Sequence, residues 1–269
     1  MMKTFFLVLA TISATICLAS EPSNTLIFNT QDFRPFTYLQ NGEVTGPATS
    51  IVKLACETAR IDCRFHLMEW PTAIKEAKAG QAHGLFVVGW NEDRNQWLYY
   101  SLPIIRGEYG FFTNVQTPDE PKTLTEYQHH NVGVYGPSNL ANSLQKIQKA
   151  MPSMRISMFE DDSTAFQQLS EGKLDSVYSN RDVGYAMIRE LGLSNLRYSM
   201  HQKQLNYYIG FMKEYTPRKL VNRFNHALKV IFRDGQAQKI LSAHQLEPIM
   251  TSQSNSSDLL QTNVAATAP

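Results

Sequence analysis

The side chains in this sequence that could do chemistry point to recognition rather than bond-making. Arg94 stands at the end of the run Asn91-Glu92-Asp93-Arg94, just past an apolar stretch at residues 85–88. A guanidinium is a planar fork of donors that meets a carboxylate through two parallel hydrogen bonds. The plainer reading is a surface arginine paired with Glu92 or Asp93. Gly136-Pro137-Ser138-Asn139 follows a second apolar stretch and opens a helix, where free N–H groups and the positive end of the helix dipole favour an anion. Ser138 is equally accounted for as a helix N-cap. Neither a Gly-x-Ser-x-Gly elbow nor a nucleophile triad is present. The seven histidines are scattered, and His129-His130, adjacent on a strand, would face opposite ways. No catalytic residue, metal or cofactor is expected.

Composition narrows the partners. The 269 residues are 43% hydrophobic and 18% charged, which suits a globular chain with a sizeable core. With 25 Lys and Arg against 24 Asp and Glu, there is no basic footprint for nucleic acid and no polybasic membrane anchor. The chain starts with Lys3, an uncharged apolar run over 4–18 and a small-residue exit at Ala19 and Ser20. That is the pattern of a secretory signal peptide over 1–20, too short and too interrupted by Thr11, Ser13 and Thr15 for a membrane span. Export to the periplasm follows as the expected location. Removing the leader takes Cys17 with it and leaves Cys56 and Cys63, six residues apart, an even pair in an oxidising compartment. They read as a disulfide, the alternative being two separate buried thiols.

These candidate groups hang from alternating strands and helices. Strands are expected over 25–29, 64–68, 85–88 and 109–113, and helices over 50–59 and 71–79, the second stopped by Gly80. A polar, proline-bearing run at 117–121 looks like a crossing between lobes. A second series places strands at 132–135, 155–158, 174–178 and 207–212, with helices at 138–150, 163–170 and 183–191. Two helices, 218–232 and 237–244, end the fold. The polar residues 249–269 read as a disordered tail. Two alternating series argue for two α/β lobes.

The punctuation between these elements resembles the solute-binding proteins of the polar amino acid uptake family, family 3. Phe33-Arg34-Pro35-Phe36 with Gly42 and Gly46 is similar to the family's opening. Trp70, Ala79-Gly80, the Asn91–Arg94 run and Tyr100-Ser101-Leu102-Pro103 follow in the family's order. Val132-Gly133-Val134-Tyr135-Gly136-Pro137-Ser138 and Leu169-Ser170-Glu171-Gly172-Lys173-Leu174-Asp175 are similar to its second-lobe motifs. The resemblance implies a type II periplasmic-binding clamp. Lobe 1 would comprise 21–115 and 206–248, lobe 2 would comprise 116–205, and hinge strands would lie near 111–114 and 208–212. The chain would act as a monomer that captures a small amino-acid-like or carboxylate solute and passes it to an inner-membrane ABC permease. A ligand-sensing clamp and a dehydratase-like enzyme on the same fold are the alternatives.

The same resemblance makes Arg94 the carboxylate clamp and Ser138 and Asn139 polar contacts. It makes Phe33 an aromatic wall with Trp90 opposite, and puts Trp70 at the cleft rim. The Cys-x6-Cys spacing matches a disulfide of members that bind basic amino acids. Three positions depart from the pattern. Asn180 stands where the family carries the acid that pairs with the ligand's ammonium group. Gly89 replaces a hydroxyl residue, and Ser50 replaces an aspartate at a helix start. The carboxylate end of an amino acid therefore has its partner, while the ammonium end has lost its charge. Asp182 or Glu160 would be the acid that restores it.

Overall fold

The computed structural model describes residues 25–117 and 121–247. The expected leader over 1–20, the expected tail over 249–269 and Pro118, Asp119 and Glu120 of the expected crossing lie outside the described residues. Eleven strands and eight helices are ordered as β1 (Thr25–Thr30), β2 (Tyr38–Gln40), β3 (Glu43–Thr45), α1 (Pro47–Ala59), β4 (Asp62–Leu67), α2 (Trp70–Lys78), β5 (Gly84–Gly89), α3 (Glu92–Trp97), β6 (Leu98–Tyr100), β7 (Ile105–Asn114), β8 (Asn131–Tyr135), α4 (Asn139–Ala150), β9 (Arg155–Phe159), α5 (Asp162–Ser170), β10 (Ser176–Asn180), α6 (Arg181–Glu190), β11 (Leu196–Met212), α7 (Arg218–Arg233) and α8 (Gln236–Ala243) among the described residues.

The main strands run in the order β4-β1-β5-β11-β7-β10-β8-β9, with β6 also on β11. β1 lies parallel to both β4 and β5, the consequence of helical crossovers between them. β8, β9 and β10 form a second parallel set. β7 and β11 join the two sets, pairing antiparallel from Ile105↔Tyr207 to Asn114↔Leu196. The end of β11 then pairs with β5, and the end of β7 with β10. Each long strand therefore begins in one half and finishes in the other.

This moves the crossings from where the sequence places them. Tyr109–Phe112 are already bonded to β10, so the outward crossing falls at 105–108, ahead of both the expected hinge at 111–114 and the proline-bearing run. On return, β11 begins eleven residues before the expected strand start at 207. Its first half is the polar run Arg197-Tyr198-Ser199-Met200-His201-Gln202-Lys203-Gln204, whose only reason to be extended is its ladder with β7. Register shifts between Tyr198 and Met200 and between His201 and Lys203 break that ladder beyond the crossing.

Apolar packing fills both halves. In the first, Phe28, Phe211 and Phe224 are fully buried, with ring centroids 5.2 and 5.7 Å apart for the Phe211–Phe224 and Phe28–Phe211 pairs. In the second, Phe112 meets Phe166 edge-on beside Leu169 and Val177. α1 ends at Arg60 in the left-handed region, where the Arg60 and Ile61 N–H groups cap the carbonyls of Glu57 and Cys56. That tight reversal brings Cys63 of β4 back to Cys56, and the two form a disulfide with a Cα separation of 6.2 Å.

Closing so short a loop stabilises by about 2.5 kcal/mol in the chain-entropy account. Replacing both Cys56 and Cys63 by alanine should therefore lower the melting temperature by about 5–10 °C for a chain of this size. Calorimetry of the oxidised and dithiothreitol-treated protein checks it. A melt that moves with neither treatment would remove the disulfide from the stability of the first half.

Candidate functional site

Between the halves lies a cleft of about 510 Å³, counted out to its open mouth, and Arg94 is in its wall. The arginine is positioned by a short local device. β5 is buried along its whole length and ends at Gly89; the chain then turns, and Asn91 caps α3 by accepting the Arg94 N–H on its Oδ1 at 2.7 Å. The guanidinium folds back so that Nη1 donates to the Gly89 carbonyl at 3.1 Å, and it lies 5.4 Å from the Trp70 ring centroid. Only 8% of Arg94 is exposed. Neither acid beside it forms an ion pair with it: Glu92 is exposed, and the Asp93 carboxylate accepts the Trp97 indole N–H. Among the described residues no carboxylate forms an ion pair with Arg94. Burial accordingly pulls its pKa down from the ordinary arginine value. A guanidinium held this way can take a carboxylate from outside the chain.

The opposite wall comes from the second half. Ser138 ends the turn after β8 and caps α4, accepting the Ala141 N–H at 3.1 Å and donating its own proton to the Tyr135 carbonyl at 2.7 Å. Asn139, the first residue of α4, reaches across the cleft. Its Oδ1 accepts from Asn91 at 2.7 Å, and its Nδ2 donates to the Gly89 carbonyl at 3.2 Å. That contact explains Gly89, because a Cβ there would sit 3.0 Å from Asn139 Nδ2. The lost hydroxyl at 89 makes room for the amide that ties the two halves.

Asn180 is similarly committed. It caps α6, its Oδ1 accepting the N–H groups of Asp182 and Val183 at 2.9 and 3.2 Å, while Nδ2 donates to the Tyr207 hydroxyl at 3.2 Å. Tyr207 is in turn hydrogen-bonded to Tyr109, and both are buried beside Phe33, which packs edge-on against Tyr207 at 5.7 Å. Phe33, Trp70, Gly89, Arg94, Ser138, Asn139 and Asn180 thus all belong to the lining wall of one cavity. Trp90 is not in that wall and is 51% exposed; the aromatic surface comes from Trp70, Tyr109, Tyr135 and Tyr207.

Neither acid offered by the sequence reading reaches the cleft. Asp182 turns to Arg181 at 3.7 Å, and Glu160 is exposed. Asp162 lines the cavity instead. It is the first residue of α5, but its neighbour Asp161 does the capping, accepting the Thr164 N–H at 2.7 Å. The Asp162 carboxylate keeps one long hydrogen bond, from Ser179 Oγ at 3.5 Å. Burial first, and then the Asp161 charge, push its pKa up to about 7. Tyr135 feels the same surroundings; burial and the Asp162 charge raise its hydroxyl to about 12. Sequence reasoning missed Asp162 because Glu160-Asp161-Asp162-Ser163 reads as a solvated, acidic helix start. No group of three or more His, Cys, Asp or Glu among the described residues is placed to hold a metal ion. No helix among them is long and apolar enough to cross a membrane.

With this geometry in view, the chain can be set beside known proteins. A family model, that of the bacterial extracellular solute-binding proteins, family 3, matches residues 26–246. The arginine-binding periplasmic protein of Mannheimia haemolytica is 23% identical over 230 residues, which is 83% of this chain and 92% of that protein. An ancestral arginine-binding protein, solved bound to arginine, superposes with a TM-score of 0.72 at 22% identity, covering 82% of this chain and 97% of that one. A histidine kinase sensor domain with similarity to periplasmic binding proteins superposes with a TM-score of 0.73 at 19% identity, covering 81% and 95%. At these identities the solved structures establish the fold, a two-lobed type II periplasmic-binding clamp.

The raised pKa of Asp162 has a consequence for stability. Between about pH 3.8, where an ordinary aspartate ionises, and about pH 7, the folded protein keeps a proton that the unfolded chain has lost. Stability therefore falls as pH rises through that window, and the full penalty is present above it. Asp162→Asn should raise the melting temperature of the ligand-free protein more at pH 8 than at pH 5. Thermal melts at the two pH values read this directly; an equal shift at both would mean that the carboxyl is solvated like any surface acid.

Proposed function

The chain belongs to family 3 of the bacterial extracellular solute-binding proteins, and from that membership and the cleft we propose that it captures a small amino-acid-like or carboxylate solute outside the cytoplasm. The observation that carries this reading is the buried Arg94, whose charge has no partner acid among the described residues. A ligand carboxylate would take the remaining donors of the fork and relieve the cost of holding an unpaired charge away from water. Ser138 and the first turn of α4 would face the same ligand from the other half. Phe33 and Trp70 would supply its apolar walls. Gly89, Asn139 and Asn180 would shape and tie the cleft rather than carry charge.

The relative from Mannheimia haemolytica binds arginine in a periplasm, which supports an amino acid as the solute class and an exported chain. In this reading residues 1–20 direct export, the mature protein works as a monomer, and the loaded clamp docks on an inner-membrane ABC permease that receives the solute. The ligand leaves unchanged, so no residue here is assigned a catalytic role.

Arg94→Ala should weaken binding about ten- to 150-fold, the effect of losing charge-assisted hydrogen bonds of about 1.5–3 kcal/mol. Arg94→Lys should recover only part of it, because an ammonium group lacks the fork. Native mass spectrometry of the purified protein followed by a thermal-shift screen of amino acids and small carboxylates measures this. A ligand at 100 times its dissociation constant stabilises by about 2.7 kcal/mol, a shift well within reach of such a screen. A screen in which only uncharged sugars raise the melt would overturn the assignment of Arg94.

A further inference from the structure

The cleft holds two charges of opposite sign that do not answer each other. Arg94 projects from the first half, buried, its guanidinium bonded to the Gly89 carbonyl and without an acid partner among the described residues. Asp162 lines the other side from the start of α5, with a long bond from the Ser179 hydroxyl as its hydrogen bond. The two do not pair with one another, although they share one cavity. A charge held from water without a counter-charge is costly, and a solute that enters between the two can answer both.

Asn180 sharpens the point. Its amide is spent on the Asp182 and Val183 N–H groups and on Tyr207, so it has little left for a ligand's cationic group. Asp162 has what Asn180 lacks: a carboxylate whose acceptor sites are largely free, because Asp161 has taken over the capping of α5. Ser179, which bonds Asp162, is the residue directly before Asn180 and is fully buried. The acid thus stands beside the end of β10, one side chain away from the amide.

We propose that Asp162 is the cation-pairing residue of the cleft and that the ligand is a zwitterion, its carboxylate on Arg94 and a protonated amine or guanidinium group on Asp162. The inference rests on the reading of the cleft as a carboxylate-binding site and adds the second pole. It makes Asp162 a determinant of specificity: a solute with only the carboxylate satisfies one half of the clamp and leaves the Asp162 charge uncompensated when the halves meet. Tyr135 completes this pole. Its hydroxyl donates to Gln31 at 3.4 Å across the cleft, and its ring lines the same cavity as Asp162.

The test uses the mature protein and its Arg94→Ala, Asp162→Asn and Asp162→Ala variants, with the twenty common L-amino acids, 6-aminohexanoate and hexanoate as probes in calorimetric titrations at pH 8. The expected result is that at least one amine-bearing probe binds, that Asp162→Asn weakens it about ten- to a hundredfold, and that hexanoate binds the wild type more weakly than that probe does and binds Asp162→Asn more tightly than it binds the wild type. Arg94→Ala should weaken every probe. If amine-bearing probes bind equally well to Asp162→Asn and to the wild type, the proposal falls while the carboxylate reading stands. The same holds if hexanoate matches the best amino acid in the wild type. If Arg94→Ala changes nothing, or no probe binds, the carboxylate reading falls and takes the proposal with it. Retained cooperative melting of each variant separates loss of binding from loss of fold, and Asp162→Ala must follow Asp162→Asn if charge is what matters.

Discussion

The structure depends on keeping one guanidinium buried and unpaired. Nothing about arginine favours this: a charge held from water without a counter-charge destabilises the fold that holds it. The chain accepts that cost locally. Asn91 fixes the backbone of Arg94, the Gly89 carbonyl takes one of its N–H groups, and the Trp70 face lies against its flat side. These neutral contacts orient the fork without satisfying its charge. An acid placed at Asn91 would compete with a ligand carboxylate for the guanidinium, so the polar but uncharged character of this shell is what preserves the affinity for a guest.

The same economy runs through the contacts between the halves. The ties are amides and hydroxyls: Asn139 to Asn91 and Gly89, Asn180 to Tyr207, Tyr135 to Gln31. Each is a neutral hydrogen bond of modest net worth, of the order of 0.5–1.5 kcal/mol, whose partners can turn to water when the halves separate. Charged groups gather instead beside the crossing strands. Glu108 of β7 accepts from Arg181 at 3.3 Å and from Tyr198 at 2.8 Å and lies 3.1 Å from His201 Nδ1, and Arg181 also reaches Glu247 at 3.1 Å. That network lies where β7 and β11 pass between halves, so it orients the lobes about their pivot, while the weaker neutral contacts are left to make and break at the cleft mouth.

How much of this could be read from sequence follows from how each feature is encoded. The parallel sets and their helices announce themselves through apolar periodicity, and Arg94 and Ser138 through their places after buried strands. The short elements do not. The β2–β3 hairpin turns on Asn41-Gly42, a strong turn pair with both residues at positive φ, yet its strands are only three residues each. α3 and β6 are single turns of pattern. The first half of β11 is polar and extended only because β7 is beside it, a tertiary cause with no local signature. Asp162 was hidden for a different reason: an acid at a helix start has an ordinary explanation, and only the folded geometry reveals that Asp161 already supplies the cap.

Moving a negative pole from the end of β10 to the start of α5 changes its physical character. A carboxylate in place of Asn180 would accept the Asp182 and Val183 N–H groups and face the positive end of the α6 dipole, both of which favour the ionised form. Such an acid is charged and satisfied before any ligand comes, and gives up little of that on binding. Asp162 accepts none of the capping N–H bonds of α5, which belong to Asp161, whose own negative charge adds to the cost. An acid raised toward neutrality has more to gain from a cation than one already stabilised by backbone donors. The substitution of asparagine at 180 therefore does more than remove a charge. It leaves β10 and α6 anchored by a neutral amide, and it transfers the electrostatic contrast of the cleft to a residue whose ionised state is favourable only in company.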